Sequence, residues 1–395
     1  MNKSTVSVVA LGVIAALAFS GCASNDRGGP SSAPPAAATP TAAATGASGP
    51  ATSQTFPTFD AHATIGVSLP QKTSENWVLA EGQFNDQLTA AGFKPMVSFA
   101  NSGVAEQQSQ ISAMITAGAK LIVVGPIDGS KLSSQLAAAK QSGITVIAFD
   151  RNLMNTKDVD LYITYDPVKA GELNAQALLD GLRAKKGSDG PPWNIEMVAG
   201  DPQDNVALQF WKGNTNILQP KIDDGTLKVV SGQTSFQQCA TAGWLAQNGQ
   251  KRMDAVLSAN YAGGTKLSGV QAVNDTLARA ALTSVHDAGL PVPVVTGMDS
   301  ETATIPLIAD GTQYSTINKD AGKLVEAVVS VVKQIQAGQP VKFDDVTTYD
   351  NGTKIVPTVL LTPVLVTKEN LCTAYDPVTS PSAAKAAADS SACKG

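Results

Sequence analysis

With 395 residues, 43% of them hydrophobic and 15% charged, the chain has ample apolar material for a core and suits about two lobes of 100–200 residues. Its formal net charge of −5 comes from 28 basic and 33 acidic residues spread without long runs. This excludes the basic stripe that tracks a phosphate backbone, so no nucleic-acid partner is expected. Two histidines, His62 and His286, leave almost no room for histidine chemistry, and both are read as structural or solvent-exposed.

The first 21 residues, MNKSTVSVVALGVIAALAFSG, have the form of a signal peptide: a basic Lys3, an apolar stretch Val6 to Phe19, then small residues. That apolar stretch is too short to remain as a membrane-spanning helix. Ser20-Gly21-Cys22 resembles a bacterial lipobox, with Phe19 where leucine is commonest, so Cys22 is expected to be lipidated and to anchor the mature protein outside the cell membrane. The following tract, 22–63, is almost wholly Ala, Pro, Ser, Thr and Gly and is expected to be a disordered tether. A coil of some 40 residues would reach roughly 35 Å.

From Thr64 onward short apolar runs alternate with amphipathic ones. Strands are predicted at 64–70, 95–100, 120–126, 145–150, 194–200, 227–232, 254–260 (DAVLSAN), 294–299 and 314–318. Helices are predicted between them, including 77–92, 108–118 and 131–143, each ending on glycine, and 324–338 with Leu324, Val328, Val332 and Ile335 on one face. Such alternation implies crossover connections and parallel sheets covered on both faces. Nine or ten strands exceed one comfortable sheet, so the expected fold is α/β with two doubly wound parallel-sheet lobes. The tail 372–395 reads as loop-like; Cys372 is paired with Cys393, with Cys239 free or the alternative partner, and no CxxC or histidine neighbour suggests a metal or redox role.

Ligands of such sheets bind beyond the carboxyl ends of the strands. Those ends repeatedly carry carboxylates, amides and cations: Gln71, Lys72, Asn76 and Trp77; Asn101; Asp128; Asp150 and Arg151; Asp166; Asp201, Asp204 and Asn205; Asn260; Asp299; Asn318 and Lys319. Helix capping explains such residues equally well at Asn101, Asp128 and Asp201. Asp150-Arg151, directly after the apolar TVIAF, is different, since a cap needs no arginine beside it; a structural ion pair is its rival.

No nucleophile elbow, zinc-protease, phosphate-loop or dinucleotide motif is present, and Asp201 with Asp204 lacks the arrangement that glycosidic acid–base work requires, so no enzyme and no cofactor are expected. Acids, amides, Arg and Lys beside tryptophan suit a neutral polyhydroxylated ligand. Each hydroxyl both donates and accepts, and the apolar face of a pyranose takes an aromatic plate. Trp77 and Trp244 are the candidate plates; Trp193 and Trp211 read as core.

The segments IGVSLPQKTSENW, QQSQISAMITAGAKLIVVGPIDGSKL, GITVIAFDRN, GDPQDNVA, ILQPKIDDGTLKVVSGQ and NGTKIVPTVLLTPVLVTKEN resemble the periplasmic aldose-binding proteins of ABC transporters, type I fold, near the D-xylose-binding and multiple-sugar-binding receptors. The resemblance runs from about Thr64 to Asn370. It implies hydroxyl contacts from Lys72, Asp150, Arg151, Asn205, Asp299 and Lys319, and ring stacking from Trp77 and Trp244. It also places Asn76 and Asn260 in the cleft, where close relatives have Arg and Asp, departures that bear on which sugar fits.

By the same resemblance, three crossings join an N-terminal lobe, 64–165 with 319–345, to a C-terminal lobe, 166–318 with 346–371. The implied function is an extracytoplasmic lipoprotein of a sugar importer. It would bind a monosaccharide aldose of the xylose, glucose, galactose or arabinose type, as a monomer, and deliver it to an ABC permease by lobe closure. The alternative is a sugar sensor whose closed form is read by a signalling partner.

Overall fold

The computed structural model describes residues 52–72, 74–185 and 190–394. The expected signal peptide and the lipidation site Cys22 lie outside the described residues. In chain order the strands are β1 (Ser53–Gln54), β2 (Thr64–Leu69), β3 (Lys94–Phe99), β4 (Leu121–Val124), β5 (Thr145–Phe149), β6 (Leu161–Tyr165), β7 (Trp193–Val198) and β8 (Leu227–Val229). They continue with β9 (Gly269–Ala272), β10 (Val294–Thr296), β11 (Ser315–Asn318), β12 (Val341–Lys342), β13 (Thr358–Leu361) and β14 (Val364–Thr367). The helices are α1 (Glu75–Ala90), α2 (Val104–Thr116), α3 (Ser133–Gln141), α4 (Pro167–Ala184), α5 (Asn205–Asp223) and α6 (Phe236–Cys239). Those that follow are α7 (Ala246–Asn260), α8 (Asp275–Asp287), α9 (Ile305–Asp310), α10 (Ala321–Gln336) and α11 (Pro381–Asp389).

Two six-stranded sheets result. The first, in the order β13-β6-β5-β4-β2-β3, is parallel throughout. The second, β14-β11-β10-β9-β7-β8, is parallel except for β14, which runs antiparallel to β11. Each is the α/β doubly wound lobe that the sequence leads one to expect.

Alternating side chains of one strand feed cores on opposite faces, as the period of two demands. Leu121 and Val123 of β4 join the core under α1 and α10; Ile122 and Val124 join the one under α2 and α3. Helix α1 starts at Ser74, whose hydroxyl accepts from the Asn76 N–H at 3.3 Å, and carries Glu75 in its first turn, where the helix dipole favours an anion. It buries Trp77, Ala80, Phe84 and Leu88 at helical spacing. Helix α10 buries Leu324, Val325, Val328, Val329, Val331, Val332 and Ile335, each such side chain contributing about 1.5–3 kcal/mol.

Four expectations need correction. The segment DAVLSAN is the end of α7, not a strand: Met253, Val256 and Leu257 are buried at i, i+3 and i+4, the helical period. The strand occupying that place in the sheet is β9, only four residues long and carrying a polar Gln271. Residues 346–361 do not join the second lobe. β13 pairs in parallel with β6 of the first sheet, and Tyr349 and Val356 share a core with Tyr162, so the third crossing falls between Leu361 and Val364. Third, the ordered body begins before Thr64: β1 pairs antiparallel with β12, and Phe56 is buried against the first core. The other two crossings lie between β6 and α4 and between β11 and α10.

The tail is also not a loop. Residues 381–389 form α11, with proline in its first turn and Ala383 and Ala387 buried against α9. Cys372 and Cys393 form a disulfide, and Cys239 is free and buried, its thiol pKa pushed up to about 11 by that burial.

Candidate functional site

The carboxyl ends of both sheets converge on one cleft. Its walls include Asn76, Trp77, Asp150 and Arg151 from the first lobe and Asp204, Trp244, Asn274, Thr276 and Asp299 from the second, with Lys319 on the crossing between them.

Lys319 stands at the centre. Its ammonium lies 3.6 Å from Asp150 Oδ1 and 3.2 Å from Asp299 Oδ1, and 4.9 Å from the centre of the Phe210 ring. Burial works against its charge, but Asp150 and Asp299 outweigh that and hold its pKa above the ordinary lysine value. Burial raises the pKa of Asp299, with Asp150 adding to the rise and Lys319 opposing it. Asp299 Oδ1, although near the ammonium, makes no aligned hydrogen bond; it is a buried acceptor with capacity to spare.

Both acids are held in unusual backbone. Asp150 has φ 58° and Asp299 has φ 95°, left-handed values that a non-glycine residue adopts only at a cost. The surroundings enforce them. The Asp150 carbonyl accepts from Tyr162 Oη at 2.5 Å and Thr164 Oγ1 at 3.0 Å, and the Asp299 N–H donates to the Ile317 carbonyl at 2.8 Å. Neither carboxylate caps a helix, unlike Asp128 and Asp166, and neither is spent on a neighbouring backbone N–H as Asp201 is on that of Gln203 in the turn before α5.

Arg151 reaches across the cleft. Its Nε is 2.9 Å from Asp204 Oδ2, an N–H donates to the Pro126 carbonyl at 3.2 Å, and the guanidinium lies 5.2 Å from the centre of Trp77. Asp204 is almost wholly buried. Its Oδ1 caps α5 through the Val206 N–H at 3.0 Å, while its Oδ2 also accepts from Trp244 Nε1 at 3.2 Å. Burial raises its pKa and Arg151 opposes the rise.

The two candidate plates are positioned differently. Trp77 sits in the first turn of α1, edge-on to Phe149 with ring centres 6.1 Å apart, and is mostly buried. Trp244 is in a short 3₁₀ turn at φ 57° and lies over the end of β7, so close that a Cβ on Gly200 would come within 2.1 Å of its ring. Trp193 is in the core, as expected; Trp211 packs on Phe236.

Three residues implied by the resemblance are elsewhere. Lys72 is exposed, paired with Glu81 at 3.1 Å and lying 4.5 Å from the centre of the Phe99 ring. Asn205 sits beside the cleft without lining it; its Oδ1 accepts from the Asn152 N–H of the first lobe at 3.3 Å. Asn260 ends α7, and its Nδ2 turns back to the Val256 carbonyl at 2.8 Å, because the segment carrying it is a helix. What takes the expected place of Asn260 is Asn274, which follows β9 and caps α8 through the Leu277 N–H at 2.9 Å.

A third contact bridges the lobes near the rim. Glu75, at the start of α1, accepts from the Thr302 N–H at 2.5 Å and from the Thr302 hydroxyl. Together with the Arg151–Asp204 pair and the Asn152–Asn205 bond, it ties the lobes around one cleft, and the conformation described is a closed one.

Two parallel-sheet lobes, three crossings and a polar cleft closed between the strand ends define a two-lobed solute-binding protein. The chain belongs to the family described as "Periplasmic binding protein domain", which matches residues 65–340. It is 39% identical over 312 residues to the multiple sugar-binding periplasmic receptor ChvE of Rhizobium radiobacter, covering 78% of this chain and 87% of that one. To the D-xylose-binding periplasmic protein of Escherichia coli it is 36% identical over 308 residues, with 78% and 87% covered. Among solved structures it is similar to an ABC transporter solute-binding protein of Clostridium phytofermentans with bound β-D-glucose, at a TM-score of 0.73 and 37% identity over 78% of this chain and 94% of that one.

Proposed function

We propose that this protein is the extracytoplasmic receptor of an ABC sugar importer, and that it binds one monosaccharide aldose of the xylose, glucose, galactose or arabinose type. The observation that carries the reading is Lys319 held between Asp150 and Asp299 in a closed interlobe cleft. A sugar hydroxyl meeting that trio finds an acceptor and a charged donor together, and Arg151 with Asp204 offers a second such pair. Trp77 and Trp244 supply apolar faces for the ring. Three carboxylates against two cations also disfavour uronates and sugar phosphates, whose anionic groups would face Asp150, Asp204 and Asp299.

The site is read as one for binding without turnover, since Asp150 and Asp299 share a single ammonium and Asp204 is committed to Arg151 and Trp244. The lobes divide at the three crossings, 165–167, 318–321 and 361–364, and the closed form is what the permease receives. Lipidation of Cys22 would tether a monomer to the membrane by the 22–51 segment. Titration of tryptophan fluorescence with D-xylose, D-glucose and D-glucuronate tests the ligand class: saturation by a neutral aldose and none by the uronate supports it, and the reverse order refutes it.

A further inference from the structure

The C-terminal tail lies outside residues 65–340 and does not line the cleft, yet it is hydrogen-bonded to the side chains on either side of Lys319 and to the one that follows Asp299. Its anchor is apolar: Leu371, Tyr375, Ala383 and Ala387 share a core with Ile305, Ile308 and Val366 of the second lobe. The Cys372–Cys393 disulfide closes the tail into a loop on that anchor. From there it reaches the second crossing. Thr379 Oγ1 donates to Asp320 Oδ2 at 2.6 Å, and Asn318 Nδ2 donates to the Ala374 carbonyl at 3.3 Å. These are the two neighbours of Lys319. On the other cation-facing segment, Tyr375 Oη donates to Ser300 Oγ at 3.4 Å, and Ser300, at φ 54°, directly follows Asp299.

The fit at the crossing is close. A Cβ on Gly322 would come within 2.3 Å of the Thr379 carbonyl oxygen, so α10 begins with a residue that lets the tail backbone lie against it. Asp320 is thereby fixed twice, its Oδ1 capping α10 through the Lys323 N–H at 3.0 Å and its Oδ2 taking the Thr379 hydroxyl.

We propose that the disulfide-closed tail is a positioning element for the binding site: Thr379 and Tyr375 hold the segments that present Lys319 and Asp299. This rests on the sugar-binding reading above. Because the tail is rooted in the second lobe while Asp320 opens the helix that packs on the first, it acts where the lobes turn about one another, and it favours the closed arrangement.

The test uses the mature chain with Thr379→Val, which keeps the side-chain volume and removes the donated hydrogen bond, and with Tyr375→Phe as the second variant. Hydrogen–deuterium exchange of residues 317–323, followed without sugar, reports the positioning directly; D-xylose and D-glucose titrations report its consequence. The expected result is faster exchange at 317–323 in Thr379→Val and about tenfold weaker binding of whichever sugar the parent binds, at an unchanged melting temperature. Tyr375→Phe should do the same at 298–302. Parental exchange in both variants overturns the proposal, as does faster exchange with parental affinity. A parent that binds neither sugar refutes the ligand reading instead, and the exchange arm still decides whether the tail holds these segments. A fall in melting temperature with no change in affinity assigns the tail a purely structural role and also overturns it.

Discussion

Arg151 Nε and Asp204 Oδ2 meet at 2.9 Å across the cleft, one from the loop after β5 and the other from the cap of α5, so this ion pair both bridges the two lobes and orients Trp244. Both side chains are largely buried, 12% and 2% exposed, which makes the pair costly to break from one side. Removing Arg151 leaves a buried carboxylate without its cation, a loss of about 3–5 kcal/mol that falls on the closed form, where the pair exists. Arg151→Ala is therefore expected to weaken sugar binding by at least ~100-fold in calorimetric titration. Arg151→Lys should fall between, since it loses the planar contact with Trp77.

Glu75 and Thr302 form a clasp at the rim that touches neither Lys319 nor the two acids paired with it. Contacts made only after closure act on release more than on capture. Stopped-flow fluorescence should show Thr302→Ala and Glu75→Ala each raising the dissociation rate by about tenfold with little change in the association rate. The double variant should be no worse than either single one, because the two residues contribute one interaction. Additive losses would mean that they act independently.

Gly200 is a test of Trp244 as a plate. A methyl there would stand 2.1 Å from the indole, which must move aside. Gly200→Ala is expected to weaken binding by roughly the same factor as Trp244→Ala, about tenfold or more, and the combined variant should add nothing.

Acidity should move affinity and stability in opposite directions. Burial raises the carboxyl pKa of Asp204, Asp275, Asp299 and Glu301. Between the ordinary carboxylate value and the raised one, the folded protein binds more protons than the unfolded chain, so these groups make the fold more stable as pH falls through that window. Protonating Asp299 or Asp204, however, removes an anion from Lys319 or Arg151. As pH falls from neutral towards the ordinary carboxylate range, the melting temperature should hold or rise while the dissociation constant for sugar increases. A parallel decline of both would show that these acids do not titrate ahead of the rest.

Much of the fold and part of the site are legible in the sequence. Strands such as LIVV and TVIAF are buried on both faces and announce themselves as apolar runs, and the polar residues after them mark the cleft edge. Asp150-Arg151 stands out because no cap requires it. The features that the sequence hides are hidden for physical reasons. β9 is four residues with a glutamine, too short and too polar to compete with DAVLSAN, whose composition is equally compatible with strand and helix; without β9, Asn274 has no strand end to mark it. Asp204 is visible as an acid after a strand, but nothing local reveals that its partner is Arg151, 53 residues earlier on the other lobe. The third crossing is obscured because β13 and β14 are near-continuous apolar sequence, TVLLTPVLVT, and only pairing assigns them to different sheets.

The central claim is that Lys319, Asp150 and Asp299 together bind the hydroxyls of a neutral monosaccharide. Calorimetric titration of the mature chain against xylose, glucose, galactose and arabinose, repeated with Asp150→Ala and Asp299→Ala, tests it most directly. One-to-one binding of at least one aldose, weakened ~30-fold or more in each variant as expected for losing a charge-assisted hydrogen bond, is the expected result. Undiminished binding in both variants, or no heat with any of the four sugars, would contradict it.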